Sequence, residues 1–204
     1  MNKEQLIESL RREGFSEKIL KAFEKVKRED FIARELREHA YDDAPLPIGY
    51  GQTISQPYTI AFMLQLLEIE ELDKENLKIL EVGSGSGYVL ALINEMCNKC
   101  EIYGIERIKE LADKSKKILS EKNIKIICRD GSKGIEEFNK KFDRIIVSAS
   151  AGEIPKKILT KLADNGILVC PVRESIFQIR KLDGKIKKKE FYGFVFVPLV
   201  EDGS

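Results

Sequence analysis

From residue 78 onward the chain alternates short apolar runs with amphipathic stretches, and this alternation restricts the fold more than any other feature. The runs at 78–82, 101–105, 125–129, 142–148 and 166–171 read as strands, while 89–96, 108–122 and 155–163 carry apolar residues at helical spacing. Strand and helix in turn specify a parallel sheet covered on both faces, because a parallel pair needs a crossover and its strands lose their polar side. The end of the chain breaks the pattern. Segments 175–182 and 185–199 flank Asp183-Gly184, a dipeptide suited to a two-residue hairpin, so the last strands are expected to be antiparallel. The fold class is therefore α/β: a Rossmann-like, mostly parallel sheet with an antiparallel C-terminal hairpin.

Ahead of the sheet, residues 1–36 read as helical. Leu6, Ile7 and Leu10 share one face, and Ser16 is placed to cap a second helix carrying Ile19, Leu20, Phe23 and Val26. Residues 40–55 hold Pro45, Pro47, Gly49 and Gly51, a density expected to prevent regular structure, and a loop of this length in a compact domain is often functional. A further helix is expected from Ser55-Gln56-Pro57, since proline tolerates the first turn, with Ile60, Met63, Leu64 and Leu67 at helical spacing. At 204 residues the chain suits one structural domain: helices and a loop over 1–77 packed on an α/β core over 78–204.

Composition narrows the function classes. With Lys+Arg 35 against Asp+Glu 34, the net charge of +1 creates no global field to gather nucleic acid or an anionic membrane. No apolar run approaches the ~18 residues of a membrane span, and Met1-Asn2-Lys3-Glu4-Gln5-Leu6 lacks a signal peptide's apolar centre, so a cytoplasmic protein is expected. Cys97 and Cys100 form a CxxC, but Cys128 and Cys170 supply no second pair, so neither a zinc site nor a disulfide framework is expected. The abundance of Lys, Glu and Ile suits a hot habitat, where even internal disulfides occur. Glu38, Asp42 and Asp43 lack further oxygen ligands; hydrogen bonds fixing the proline-rich loop are expected instead of a metal. The single histidine, His39, is expected on the surface. Tyr41 and Tyr50 are expected to anchor the loop rather than touch a substrate, and the basic run 185–189 reads as a solvated sheet edge.

Glu81-Val82-Gly83-Ser84-Gly85-Ser86-Gly87 follows the first strand and precedes a helix, the crevice in which open α/β sheets bind ligands. A dinucleotide fingerprint needs glycine or alanine at position 88, where Tyr88 stands, which weakens an NAD reading. S-adenosylmethionine carries no phosphate, and such a loop can pack on its amino acid portion and sulfonium. Glu106, ending the second strand, can accept from both ribose hydroxyls. Asp130-Gly131, ending the third, can accept from an adenine amino group and admit the ring. Each feature has an ordinary structural explanation, but three on consecutive strand ends converge on one nucleoside site.

The segment Ala40-Tyr41-Asp42-Asp43-Ala44-Pro45-Leu46-Pro47-Ile48-Gly49-Tyr50-Gly51-Gln52-Thr53-Ile54-Ser55 resembles the hallmark of the protein-L-isoaspartate O-methyltransferases. The loop up to Gly87, Ile105-Glu106-Arg107, Asp130-Gly131, Phe142-Asp143-Arg144-Ile145 and Phe196-Val197-Pro198-Leu199 match the family in the same order. The resemblance implies a seven-stranded S-adenosylmethionine-dependent methyltransferase fold with one antiparallel strand. It implies methyl transfer to the free α-carboxylate of L-isoaspartyl residues in damaged proteins and peptides, the ester then collapsing to a succinimide. Ser55 would be the active-site hydroxyl, with Gln52, Thr53 and Ile54 lining the cofactor site. Gly83, Ser84 and Gly85 would meet the methionine portion, Glu106 and Arg107 the ribose side, Asp130 and Gly131 the adenine, and Gln178 would lie near the site. Ile48, Ser55 and Ala149 would contact substrate, and the protein would act as a monomer. The chain departs from the family at Arg173, where Pro-Val-Gly is usual, and at Gly152, where Pro is frequent; both positions bear on peptide preference. Ser55 has a competing role as a helix N-cap. Two other functions remain open at this point: a methyltransferase for a small molecule or RNA, and a cofactor-binding sensor without turnover.

Overall fold

A computed structural model describes residues 1–69, 76–131, 135, 138–150 and 152–194. The chain begins with α1 (Lys3–Arg12) and α2 (Glu17–Lys25). Asn2 and Gln5 form a reciprocal capping box on the first, and Ser16 accepts from the Ile19 N–H on the second at 3.3 Å. Two short 3-10 turns, Arg28–Phe31 and Arg34–His39, replace the rest of the expected helical preface. The segment 40–55, expected to be irregular, contains a small antiparallel ribbon of β1 (Leu46–Gly49) and β2 (Gln52–Ile54). Gly49, Tyr50 and Gly51 all have left-handed φ, at 97°, 55° and 70°, and this reversal lets two short strands pair despite the prolines. Pro47 is tolerated because a two-stranded ribbon has only edge strands.

Helix α3 (Pro57–Leu66) starts where expected, with proline in its first turn and Gln56 as N-cap. The core then runs β3 (Lys78–Val82), α4 (Tyr88–Met96), β4 (Glu101–Glu106), α5 (Lys109–Ile118), β5 (Ile124–Cys128), β6 (Phe142–Val147), α6 (Lys156–Leu159), β7 (Leu162–Val172), β8 (Ser175–Leu182) and β9 (Lys185–Tyr192). The seven strands order as β5-β4-β3-β6-β7-β8-β9, parallel through β7, with β8 antiparallel to both neighbours. The β8–β9 turn is Asp183-Gly184, both with positive φ (49° and 73°), as a type I′ hairpin requires. Chain order reverses at β3, which lies between β4 and β6, so a crevice opens at the C-terminal ends of these strands.

Along β3, Ile79 packs in one apolar cluster and Leu80 in another, so both faces of the strand are buried. The first cluster also takes in Leu6, Leu20, Phe23, Ile60 and Leu90, joining the N-terminal helices to the sheet. The helix expected over 155–163 is a single turn. Its continuation was overridden by strand pairing: Leu162 is buried opposite Phe142, and the Phe142 N–H bonds Lys161 O at 2.8 Å. Helix α5 likewise stops at Ile118 instead of 122. Cys97 and Cys100 form a disulfide closing the turn after α4, while Cys128 and Cys170 are free. No described helix is long and apolar enough to cross a membrane, and no group of three or more potential metal-binding side chains occurs among the described residues. The closing motif at 196–199 lies outside the described residues.

Candidate active site

At the crevice, the turn after β3 is knitted into its neighbours by main-chain bonds. The N–H groups of Gly83 and Ser84 both donate to Ile105 O, at 2.8 and 3.0 Å, and Ser148 N–H donates to Val82 O at 2.9 Å. Gly83, Gly85 and Gly87 have φ of 81°, 51° and 86°, so the loop winds through conformations that a side chain would strain. Tyr88, which replaces the third small residue of a dinucleotide loop, packs edge-on against Phe23 and Phe31. Its role is to seat the N-terminal helices on α4.

A cleft sits over this loop, its space about 700 Å³ when the open mouth is counted. Ile48, Gln52, Thr53 and Ser55 line it from the ribbon side; Val82, Gly83, Gly85, Ile105, Glu106, Arg107, Arg129, Asp130, Gly131, Ser148 and Ala149 line it from the strand ends. The two sides meet at the loop, where a Cβ on Gly85 would come within 3.2 Å of Ile48 Cδ1; within the strand-end side, a Cβ on Gly83 would come within 3.7 Å of Ala149 Cβ.

Glu106 Oε2 accepts from Gly85 N–H and Oε1 from Ile108 N–H, both at 2.8 Å. A carboxylate has about four acceptor positions, so two remain for hydroxyl donors from the cleft. Glu81 lies behind the wall, 1% exposed, taking a 2.6 Å bond from the Ser148 hydroxyl on Oε1; among the described residues Oε2 has no partner. Desolvation pushes its carboxyl up to about 8, the Ser148 bond opposing and the Glu106 charge adding.

The ribbon wall depends on Arg28, a residue that belongs to none of the motifs read from the sequence. Its side chain is fully buried, with Nη1 donating to Ala40 O (2.9 Å) and Asp42 O (3.2 Å), and Nη2 to Ala44 O and Ser55 O, both at 3.0 Å. One nitrogen thus ties together the two ends of the ribbon segment. Burial depresses the guanidinium's pKa, while nearby tyrosine and aspartate groups favour its charge. Asp43 adds a second tie: its Oδ1 accepts from Tyr58 N–H at 2.8 Å and Oδ2 from Gln56 Nε2 at 3.0 Å, capping α3 from outside the helix. Tyr41 donates to Glu29 and so anchors the loop. Asp42 binds the N-terminal ammonium and exposed His39.

Comparison with known proteins decides the family. The model of the protein-L-isoaspartate(D-aspartate) O-methyltransferases matches residues 1–204. The chain belongs to this family. A Petrotoga mobilis protein-L-isoaspartate O-methyltransferase is 46% identical over 200 residues, covering 94% of this chain and 91% of its own. Protein-L-isoaspartate O-methyltransferase 2 of Archaeoglobus fulgidus is 40% identical over 206 residues, covering 97% and 92%. A Plasmodium falciparum structure assigned to the same activity, in complex with S-adenosyl-L-homocysteine, superposes with a TM-score of 0.84 at 30% identity, covering 98% of this chain and 99% of its own. As a protein-L-isoaspartate O-methyltransferase, the chain draws its methyl group from S-adenosylmethionine and esterifies isoaspartyl residues.

The cleft residues fit that nucleoside cofactor. Left-handed glycines expose backbone at the loop, Glu106 keeps acceptor positions, and apolar Ile105 lies beside Gly131 at the adjoining strand end. Of the residues singled out from the sequence, Ile48, Gln52, Thr53, Ser55, Gly83, Gly85, Glu106, Arg107, Asp130, Gly131 and Ala149 are brought together in the cleft walls. Three fall outside. Ile54 turns into the core, 4% exposed. Ser84 is buried, its hydroxyl without a partner among the described residues and 3.1 Å from where a Cβ on Gly104 would stand. Gln178 sits on β8 and spends its amide on Leu66 O (2.6 Å) and Glu68 Oε1 (3.1 Å), bracing the end of α3. Val82, Ile105, Arg129 and Ser148 also line the cleft, although no role was assigned to them individually. They are strand-end residues, and which strand residues reach a cleft depends on pairing register.

Proposed function

We propose that the ribbon wall handles the acceptor and the strand-end wall the cofactor, with Ser55 orienting the isoaspartyl carboxylate. The observation carrying this reading is the Ser55 hydroxyl itself. It lines the cleft, has no hydrogen-bond partner among the described residues, and is free of the capping duty that competed for it, because Gln56 is the N-cap of α3 and Asp43 supplies the cap bond. When bound, S-adenosylmethionine supplies an electrophilic methyl group on a sulfonium centre. Gly83 and Gly85 hold its methionine portion, Glu106 and Arg107 its ribose side, and Asp130 with Gly131 its adenine. Ile48 and Ala149, both close to the glycine loop, would exclude water from the reacting pair.

A free α-carboxyl, with a reference pKa of about 3.3–3.7, is already ionised at neutral pH, so no general base is needed. His39 is exposed and engaged with Asp42, consistent with that economy. Ser55 would donate to one carboxylate oxygen and leave the other free to take the methyl carbon, whose bond to the sulfonium sulfur breaks to leave a neutral thioether; the ester then closes to a succinimide without further help, as the following backbone nitrogen attacks it and methanol leaves. We take the protein to act as a cytoplasmic monomer on damaged polypeptides. Its net charge of +1 offers no field to collect polyanions. Matched peptides bearing L-isoaspartate or L-aspartate, incubated with methyl-labelled S-adenosylmethionine, test the reading. A base-labile ester is expected on the isoaspartyl peptide alone; equal labelling of both, or of neither, overturns it.

A further inference from the structure

Tyr41 anchors the loop as expected, but Tyr50 does not. It stands at the tip of the ribbon, 61% exposed. Met1, Ile186 and Tyr192 are also large, apolar and exposed, yet none lies on an element lining the cleft. Among the described residues the Tyr50 ring makes no aromatic contact and its hydroxyl no hydrogen bond; only its carbonyl is used, accepting from Gln52 Nε2 at 3.4 Å. Its backbone has φ 55°, between two glycines at 97° and 70°. That conformation strains any residue with a Cβ, and asparagine or glycine would make the turn more cheaply. A bulky ring is therefore held, against local preference, on the free end of a ribbon whose Ile48 and Gln52, two residues to either side, line the cleft.

We propose that Tyr50 is a specificity-determining contact for the polypeptide flanking the isoaspartyl residue. The inference rests on the acceptor side of the reaction described above. Damaged sites occur in many sequence contexts, so a contact to the flanks must tolerate varied side chains. An aromatic face suits this, packing on peptide planes and side chains alike while losing only two torsions. Because the ring meets the flanks and not the carboxylate, its interaction is the same before and during methyl transfer. Its loss therefore falls on KM for the peptide.

Tyr50→Asn removes the ring while accepting the left-handed backbone, and Tyr50→Phe keeps the ring. Steady-state kinetics on an L-isoaspartyl hexapeptide at saturating S-adenosylmethionine, calorimetric cofactor Kd and thermal melting would be measured for both. Tyr50→Asn is expected to raise peptide KM about tenfold, to keep cofactor Kd within about twofold and to melt no lower than wild type; Tyr50→Phe should stay within about twofold throughout. Unchanged peptide KM in Tyr50→Asn overturns the proposal. So does a matching rise in cofactor Kd, which would report a collapsed ribbon. A wild-type protein inactive on the isoaspartyl peptide overturns the reaction reading and this proposal with it, and is recognised from the wild type alone.

Discussion

The two walls of the cleft are built by opposite means. On the strand-end side the turn after β3 and the end of β5 are tied to a neighbouring strand by short main-chain bonds: Gly83 and Ser84 share Ile105 O, and Arg129 N–H bonds Glu106 O at 2.8 Å. These positions inherit the rigidity of a sheet buried on both faces. On the ribbon side, two strands of four and three residues carry Ile48, Gln52 and Thr53 and lead into Ser55. They are fastened at the base by one buried guanidinium and one aspartate. Damage to the first wall should therefore stay local, whereas damage to Arg28 should release the second wall as a unit.

Arg28→Met gives the largest expected effect. Four carbonyls lose their donor, and a loss of roughly 3–5 kcal/mol is expected by analogy with breaking a buried charge interaction. For a chain of this size that corresponds to a melting temperature lower by about 10 °C, read by scanning calorimetry. Amide exchange should accelerate in the ribbon well before β3; equal acceleration in both would erase the contrast between the walls.

Glu106→Gln probes the strand-end wall. A charge-assisted acceptor contributes roughly 1.5–3 kcal/mol, so titration calorimetry should show cofactor affinity weakened roughly 10–100-fold. Ribbon exchange should stay near the wild-type rate. A ribbon loosened as much as in Arg28→Met would mean that the walls are not independent.

Glu81→Gln should have an effect that depends on pH. With its carboxyl at about 8 in the folded chain, above the ordinary 4.5, the native state keeps a proton that the unfolded state has released across that interval. Stability from this proton is fully present below the unfolded value and is lost as pH rises through 8. The glutamine variant escapes that loss while still accepting from Ser148. Its melting temperature should equal wild type near pH 5 and exceed it increasingly toward pH 8.5. A constant difference across that range would place the group's titration elsewhere.

Legibility in the sequence divides along the same line. Strands buried on both faces read as apolar runs, and the expected and observed limits of β3 coincide at 78–82. Asp183-Gly184 announced its hairpin because few residue pairs accept two left-handed conformations. Glu106, Asp130 and Gly131 were recognisable because a strand end followed by a helix places them at the crevice. The ribbon was missed, since its prolines and glycines read as breakers while the pairing they permit depends on three successive positive φ angles. Arg28 was missed for a different reason: its partners are carbonyls 12 to 27 positions away, and main-chain acceptors leave no mark in sequence. Gln178 was misplaced because only packing reveals that β8 meets the end of α3 there. The Cys97–Cys100 bond needed the turn after α4 to bring its ends together.

Ser55→Ala tests the division of labour most directly. Cofactor Kd and turnover on the L-isoaspartyl peptide would be measured on the same folded preparation. Cofactor Kd within about twofold of wild type, an unchanged melting temperature and turnover reduced on the order of 100-fold are expected. Undiminished turnover per folded molecule, or a loss explained by weakened cofactor binding, would contradict it.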